Sequence, residues 1–407
     1  MKLLILYHSN ILPPKPGADG HIYTTARLLS KTYDVTVLTW GPDKSQKFVD
    51  NNFKIIHIGN GLSGDTTSVH RRIPNFIVDI LSFIGIRYIP FLRKSRGPTV
   101  RQFNSLELGF YDIAIRVSYN NNRILKYLKE HYGTKIVEFT LVSGLPHYLN
   151  NKNEWLKYTD ISPALSSKLI DIVYRIMRKA VFWFYTSSLC SYDVIAVSQY
   201  DKLLLEGVIK NLRVKYIPPI LDFGNHFSVA EEPDSIIFFS GNNLSARVAV
   251  EYILYISQKL VNYTFYVTGF IPDTIHKKHI PINLNLCGFL EEDKFHDLIS
   301  KNSIVIMPLI YGTGMQTKVI EAMSYGKAII TTSAIASEFI GIENGRHMIV
   351  EDDPEEFLDK IKLLMNDKEL RSKISKNAFE YYNQYLSAGV ALNLHLKYLN
   401  SIINGDK

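Results

Sequence analysis

Residues Ser303 to Thr332 have the sequence SIVIMPLIYGTGMQTKVIEAMSYGKAIITT, which indicates the fold of the chain. It begins with a short apolar run, which predicts a buried strand. Gly312 and Gly314 then allow a tight turn. Apolar residues recur at helical spacing over Met315–Tyr325, and Gly326 is a typical helix stop before a second apolar run. The stretch therefore predicts a strand, a glycine loop, a helix and a second buried strand.

The other face of the predicted helix carries Thr317, Lys318 and Glu321, which follow Gly314 at offsets of three, four and seven. A helix N-terminus behind a glycine loop offers free N–H groups and the positive end of the helix dipole to an anion. Lys318 adds a full charge one turn in, and the Glu321 carboxylate can accept hydrogen bonds from sugar hydroxyls. This pattern suits a nucleotide sugar, although Lys318 and Glu321 at i,i+3 also suit an ordinary surface ion pair.

This segment resembles the donor-binding motif of the group 1 (family 4-like) glycosyltransferases, which have the GT-B fold. One branch has the pattern P-x-x-x-G-x-G-x-x-x-K-x-x-E-A-x-x-x-G, and the matching residues are Pro308, Gly312, Gly314, Lys318, Glu321, Ala322 and Gly326. The wider family usually carries two glutamates separated by seven residues, and the first falls at Thr313. Glu321 therefore resembles the second, ribose-binding glutamate, and the contact of the first with the donor sugar has no counterpart.

The resemblance implies an α/β protein of GT-B type, in which two Rossmann-like parallel-sheet domains face a cleft. Residues 1–222 are then the acceptor-side domain, 223–380 the donor-binding domain, and 381–407 a helical end that crosses back to the first domain. The length agrees, because 407 residues exceed one compact core and suit two domains of about 200 residues. The polar segment 223–234 is the predicted linker.

Residues that bind the donor are assigned by the resemblance to three loops at strand ends. They are Gly241, Asn242, Gly288, Phe289, Gly312, Thr313, Gly314, Met315, Gln316, Thr317, Lys318 and Glu321. Relatives usually clamp the diphosphate with a basic pair, and here Arg247 is the only basic residue near that position. The residues predicted to take part in catalysis are Lys318, Glu321 and Arg247.

Acceptor-side residues are predicted in the loop after the first strand and in a second loop further along the chain. They are Gly17, Asp19, Gly20, His21, Glu138 and His147. The helix after the first loop is predicted over His21–Ser30. The loop lacks the G-x-G-x-x-G pattern of dinucleotide-binding proteins. Ordinary loop capping is the alternative for Asp19 and His21, and a structural role is the alternative for His147.

The activity implied is that of a retaining, hexosyltransferase-like glycosyltransferase, which moves a sugar from a nucleotide diphosphate sugar to an acceptor hydroxyl of a glycan or lipid-linked saccharide. The leaving group is a nucleoside diphosphate, so fixed positive charge and helix dipoles lower the barrier. No carboxylate pair has the spacing of a metal site, which predicts a reaction without a metal or other cofactor. The departing phosphate is thought to help deprotonate the acceptor, so no dedicated base is predicted.

The net charge of +7 predicts an anionic partner. Between Arg71 and Arg101, seven basic residues stand against one acid, Asp79, around the apolar run Phe76–Leu92. Apolar residues bracketed by arginines suit a surface lying against anionic lipid headgroups, and the run is marginal for a membrane span. A core helix with a solvated basic rim is the alternative. Nucleic acid is not a predicted partner, since the run shows no binding motif.

The predicted location is the cytoplasm, on the inner face of a membrane if residues 71–101 bind lipid. Cys190 and Cys287 provide no disulfide framework or metal cluster, which favours a reducing compartment. The apolar run within MKLLILYHSN is too short for a signal peptide and predicts the first strand instead.

Three alternatives to a transferase remain open at this point. A nucleotide-sugar epimerase of the same architecture needs no acceptor. A non-catalytic scaffold that binds nucleotide sugars is favoured by Thr313, and a nucleic-acid or membrane adaptor by the basic segment alone.

Overall fold

The computed structural model describes the chain outside residues 14–17, 42, 60–97, 118–121, 141–167, 169–170, 173, 176–178, 180–192, 225, 227–233, 242–243, 277, 310–314 and 406–407. The chain divides into two compact units by internal contacts. The first comprises Met1–Val197, Asp201–Ile217 and His395–Lys407, and the second comprises Ser198–Tyr200 and Pro218–Leu394. The domain boundaries given above stay a prediction.

The first unit contains an eight-stranded sheet. Its strands are β1 (Lys2–Tyr7), β2 (Asp34–Gly41), β3 (Gln46–Asp50), β4 (Phe53–Gly59), β5 (Ile113–Val117), β6 (Lys135–Thr140), β7 (Asp193–Ala196) and β8 (Arg213–Tyr216). They lie in the order β3-β4-β2-β1-β5-β6-β7-β8, and all neighbours are parallel except β3 and β4. All five residues of β5 are buried, as expected for a parallel strand covered on both faces.

Strand β3 was missing from the predicted elements. It pairs antiparallel with β4 at the edge of the sheet, and only Phe48 of its five residues is partly buried. A strand this exposed gives no apolar run, so the sequence carried little signal for it.

Among the residues described, the first unit contains the helices α1 (Ala18–Leu29), α2 (Val100–Asn104), α3 (Asn122–Tyr132) and α4 (Gln199–Val208). The first two residues of α4 belong to the second unit. Helix α1 begins before His21, the predicted start, because Asp19 places a negative charge in the first turn, where the helix dipole favours it. The glycine at position 207 predicts a helix stop, and α4 runs one residue past it, to Val208. The helical pattern of Ser162–Cys190 predicts a long helix, and most of this stretch lies outside the described residues.

The second unit has a six-stranded, wholly parallel sheet. Its strands are β9 (Ser235–Ser240), β10 (Thr264–Gly269), β11 (Leu284–Gly288), β12 (Ile304–Met307), β13 (Ala328–Thr331) and β14 (Ile349–Val350). Its helices are α5 (Leu244–Lys259), α6 (Asp273–His276), α7 (Glu292–Lys301), α8 (Thr317–Ser324), α9 (Ser333–Ala336), α10 (Pro354–Asn366) and α11 (Lys368–Tyr381), followed by a π-helical turn (Tyr382–Leu386). A last helix, α12 (Ala388–Asn404), begins in this unit and ends in the first.

The strand order of the second sheet, β11-β10-β9-β12-β13-β14, reverses direction between β9 and β12. In an open parallel sheet the connections leave such a point on opposite faces, and a crevice forms at the carboxyl ends of the two strands. The loop at Gly241 follows β9, and the segment leading to α8 follows β12. The fold of this unit therefore directs both predicted donor-binding segments to one edge of one sheet.

Candidate active site

Helix α8 begins at Thr317, two residues later than predicted. Gln316 is its N-cap, with extended backbone and no side-chain cap, and its carbonyl accepts from the N–H groups of Val319 and Ile320. The N–H groups without an intrahelical acceptor therefore include those of Thr317 and Lys318 rather than Gly314 and Met315. The predicted donor residues Gly312, Thr313 and Gly314 lie outside the described residues.

Helix α8 ends just before Gly326, the stop that its sequence predicted. Gly326 has a φ of 62°, its N–H bonds to the Met323 carbonyl at 2.9 Å, and the next N–H, of Lys327, bonds to the Ala322 carbonyl at 3.1 Å. These two bonds form a Schellman motif, for which glycine is the preferred residue at the left-handed position. The position of α8 relative to β13 is thereby set by local sequence.

Lys318 and Glu321 form an ion pair, with 2.7 Å between Lys318 Nζ and Glu321 Oε2. The Glu321 side chain is only 11% exposed and the Lys318 side chain 36%. Most i,i+3 pairs on helices are exposed at both ends, whereas here the carboxylate lies in the protein interior. The pair therefore differs from the ordinary surface ion pair considered above.

Two phenylalanine rings also contact the Lys318 ammonium. Its Nζ lies 5.5 Å from the ring centroid of Phe239 on β9 and 5.8 Å from that of Phe295 on α7. The two rings pack edge to face, 5.1 Å apart. Cation–π attraction at these distances supplements the ion pair with Glu321. Neither ring was predicted, because each comes from a different element that periodicity alone does not join to α8.

Beyond Glu321, one turn along α8, the buried Tyr325 joins a group of rings. Its hydroxyl is hydrogen bonded to Nδ1 of His296, and the ring of His226 stacks on it at 5.1 Å. Burial raises the pKa of Tyr325 well above its usual value, and the negative charges of Glu321 and Glu292 raise it further. The phenol therefore stays neutral. This group of rings lies one helical turn beyond Glu321 on α8.

The remaining donor-side residues lie at the carboxyl ends of β9, β10 and β11. Gly241 follows β9 and is exposed, while Asn242 lies outside the described residues. Arg247, in the first turn of α5, is exposed, and its guanidinium lies over the ring of Phe270 at 5.0 Å. It therefore stands beside the end of β10.

At the end of β11, Gly288 has a φ of 63° and its carbonyl accepts a 2.8 Å hydrogen bond from the Thr268 hydroxyl. Phe289, which follows, is 76% exposed, and burial raises the pKa of the neighbouring Cys287 thiol. An exposed ring beside a left-handed glycine presents an aromatic face at the same sheet edge as β9 and β12.

In the first unit, the carboxylate of Asp19 is held by the end of β1. It accepts hydrogen bonds from the hydroxyls of Tyr7 at 2.8 Å and Ser9 at 3.4 Å. Burial and this carboxylate raise the pKa of Tyr7. Gly20 lies in helix α1 rather than in a loop, and Gly17 and His147 lie outside the described residues.

His21 is 4% exposed, and its ring lies 5.8 Å from that of Phe139, which in turn lies 5.9 Å from that of His395 on α12. Burial, and then the charge of His395, lower the pKa of His21 to about 3. His21 is therefore neutral at physiological pH. The last helix, which the sequence analysis did not associate with this site, supplies its third ring.

Glu138 lies inside the sheet, on β6, directly beside Arg116 on β5. Arg116 Nε donates to Glu138 Oε2 at 2.6 Å, and the two side chains are 1% and 6% exposed. Glu138 therefore lies in a strand rather than in a loop, with its carboxylate against a buried guanidinium, and its part in acceptor binding stays a prediction.

The predicted membrane-binding segment, 71–101, lies almost entirely outside the described residues; of it, Thr99 caps α2 and Arg101 is exposed. Within the described ranges no helix is long and apolar enough to cross a membrane. In the same part of the chain no three His, Cys, Asp or Glu side chains are grouped to hold a metal ion.

Two parallel-sheet α/β units of this kind are the architecture of GT-B glycosyltransferases, and solved structures of that class match nearly the whole chain. Sucrose-phosphate synthase from Thermosynechococcus elongatus is 13% identical, with 98% of this chain and 99% of that chain covered and a TM-score of 0.70. HepE from Anabaena, solved with UDP and glucose, is 15% identical, with 98% of this chain and 100% of that chain covered and a TM-score of 0.61. A mutant of S. aureus TarM, solved with fondaparinux, α-GlcNAc-glycerol and UDP, is 12% identical, with 98% of this chain and 99% of that chain covered and a TM-score of 0.63. The predicted GT-B fold is confirmed.

Residues 234–367, which hold β9–β14 and the Lys318–Glu321 pair, match the family of group 1 glycosyl transferases. The resemblance stated from the sequence is confirmed over these residues, and the family match together with the GT-B fold supports glycosyl transfer as the activity. No curated protein sequence matches the chain closely enough to count as a relative.

Proposed function

We propose that the chain is a retaining glycosyltransferase that moves a hexose from a nucleotide diphosphate sugar to a hydroxyl of a glycan or lipid-linked saccharide. The observation that carries this proposal is the pair of Lys318 and Glu321, joined at 2.7 Å in the first turn and a half of α8. A partly exposed ammonium and a buried carboxylate, side by side at a helix N-terminus, suit a diphosphate next to a ribose.

Lys318 supplies positive charge where the leaving group develops negative charge. An ammonium has three donors, so it can keep its bond to Glu321 and donate to a phosphate oxygen at the same time. The N–H groups of Thr317 and Lys318 add the dipole of α8 at the same place. Donors that are fixed before the reaction stabilise the departing diphosphate without reorganising.

Glu321 positions the nucleotide in this proposal. An ionised carboxylate has about four acceptor sites and Lys318 occupies one, which leaves capacity for the two hydroxyls of a ribose. Arg247, in the first turn of α5 with its guanidinium beside the end of β10, is the proposed second phosphate contact. The segment around Gly288 and Phe289 is the proposed nucleobase site.

The reaction is proposed to proceed without a metal or other cofactor and without a dedicated base. The departing phosphate would accept the acceptor's proton, in keeping with retention at the anomeric carbon. Transfer that is unchanged in excess EDTA agrees with this, and transfer that EDTA abolishes and Mg²⁺ or Mn²⁺ restores contradicts it.

A uridine nucleotide is the first donor to test, because HepE has been solved with UDP-glucose and TarM with UDP. The acceptor is proposed to lie at an anionic membrane on the cytoplasmic side, since the basic segment 71–101 combines arginines with an apolar run. Binding to vesicles that contain anionic lipid, but not to neutral vesicles, tests this part.

The function is tested by a thermal-shift screen of UDP-, GDP- and dTDP-sugars, followed by turnover with and without acceptor saccharides. A ligand that binds only the folded state raises the melting temperature. Transfer that requires an acceptor, with the anomeric configuration retained by NMR, supports the proposal. Conversion of donor alone to an isomeric donor indicates an epimerase, and binding without turnover indicates a scaffold.

A further inference from the structure

The Lys318 ammonium is enclosed by three elements of the second unit. Glu321 holds it from its own helix, Phe239 from β9, and Phe295 from α7. Phe239 is 2% exposed and is part of the core of the sheet, so its presence needs no functional reason. Phe295 is only partly buried, and its ring lies 5.8 Å from the ammonium.

Helix α7 holds α8 at two points through consecutive residues. The ring of Phe295 faces Lys318 in the first turn of α8, and His296 is hydrogen bonded to Tyr325 just past its last turn. The backbone of α7 thereby keeps the Phe295 ring in a fixed place relative to Lys318. A ring held in this way restricts a side chain that otherwise has four rotatable bonds.

The ring affects the ammonium in two ways. Its negative face attracts the positive charge, and its bulk prevents the lysine stem from swinging toward α7. Glu321 alone allows the ammonium to rotate about the carboxylate, whereas the ion pair and the two ring faces together limit it to a narrow region. Preorganised charge is what a departing diphosphate requires.

We infer that Phe295 is a positioning residue, which holds the Lys318 ammonium where it contacts the diphosphate of the donor. This inference rests on the proposed function. Phe295 itself need not touch the donor. An aromatic ring, and not merely an apolar side chain of similar volume, is required at this position.

The experiment compares Phe295→Leu, which keeps the apolar volume but removes the ring face, with Phe295→Tyr, which keeps the ring. Phe48→Leu on the edge strand β3 is the matched control, because Phe48 is also a partly buried phenylalanine and lies in the first unit. Calorimetry measures the affinities for UDP and for inorganic pyrophosphate, which carries no base. The donor KM and kcat are measured separately, from the rate of transfer. Thermal unfolding checks that each variant is folded.

Phe295→Leu is expected to weaken both affinities about three- to tenfold and to lower kcat by a similar factor. Phe295→Tyr and Phe48→Leu should stay within twofold of the wild type. In a Lys318→Ala background, Phe295→Leu should have no further effect, because the group that it positions is gone.

Unchanged affinity and kcat in Phe295→Leu would overturn the inference, as would an equal loss with and without Lys318, which indicates a structural effect. Binding of neither UDP nor pyrophosphate by the wild type would contradict the proposed function, and this inference with it. If the wild type binds both UDP and pyrophosphate and Phe295→Leu has the same affinities and kcat, only this inference is contradicted and the proposed function is not.

Discussion

Replacing Glu138 with glutamine leaves the Arg116 guanidinium buried opposite a neutral amide. The two side chains are 6% and 1% exposed and 2.6 Å apart, so water cannot replace the lost charge without opening the sheet. Removing one member of a buried ion pair typically costs about 3–5 kcal/mol, whereas replacing both members with apolar residues is often neutral or stabilising. We therefore expect Glu138→Gln to be strongly destabilising and the double variant Arg116→Met/Glu138→Leu to regain most of the loss.

The assay is hydrogen exchange of the peptides that cover β5 and β6, which measures the opening free energy of this part of the first unit. Glu138→Gln should lower it by about 3 kcal/mol or more, and the double variant should lie within about 1 kcal/mol of the wild type. The double variant should also retain glycosyl transfer, because the account assigns Glu138 a structural role.

Two results would refute this reasoning. A loss below about 1 kcal/mol in Glu138→Gln would show that the pair contributes little to the fold. A double variant with normal stability and no transfer would return Glu138 to the acceptor site, where the sequence resemblance placed it.

Three further predictions concern other buried groups. Burial holds the pKa of His21 at about 3 in the folded chain against 6.5 for a free side chain, so its stabilising contribution is complete above about pH 6.5 and is lost as the pH falls toward 3. The unfolding free energy should fall about 1.4 kcal/mol per pH unit faster in the wild type than in His21→Gln between pH 5.5 and 4.5, where the unfolded histidine is almost fully protonated, and equal slopes would contradict this. Lys327→Met should lower the free energy of urea unfolding by about 3 kcal/mol, since the ammonium donates to two carbonyls at the end of α7. A decrease below about 1 kcal/mol would count against those hydrogen bonds. Gly269→Ala should lower the unfolding free energy by more than about 2 kcal/mol, because the residue has a φ of 94° and a Cβ would lie 1.9 Å from the Ser240 carbonyl oxygen. Gly207→Ala within α4 should instead raise it by about 0.5–1 kcal/mol. Equal effects of the two alanines would contradict the geometry.

The sequence predicted most of the fold because the central strands of both sheets, such as β1, β5, β9 and β12, are buried on both faces. Such strands give continuous apolar runs, as in β9 and β12, and glycine at 326 marks a helix end that only a left-handed residue can form. The edge strand β3 gives no such run. The start of α8 was placed two residues early because Gln316 is a weak N-cap, so no capping residue marked the boundary.

The candidate site was only partly predictable. Offsets along one helix placed Lys318 and Glu321 together, since helical periodicity is local. The rings of Phe239 and Phe295 come from two other elements, and no local pattern joins them to α8. For the same reason His395, near the other end of the chain, could not be associated with His21.

The central claim is that Lys318 stabilises the departing diphosphate. Lys318→Ala is compared with Lys362→Ala, which breaks an i,i+3 pair with Asp359 that is exposed at both ends. With the donor found in the screen, Lys318→Ala is expected to lower kcat for transfer by about 10²–10³ while it remains folded, and Lys362→Ala is expected to transfer normally. Transfer by Lys318→Ala at the wild-type rate would contradict the account.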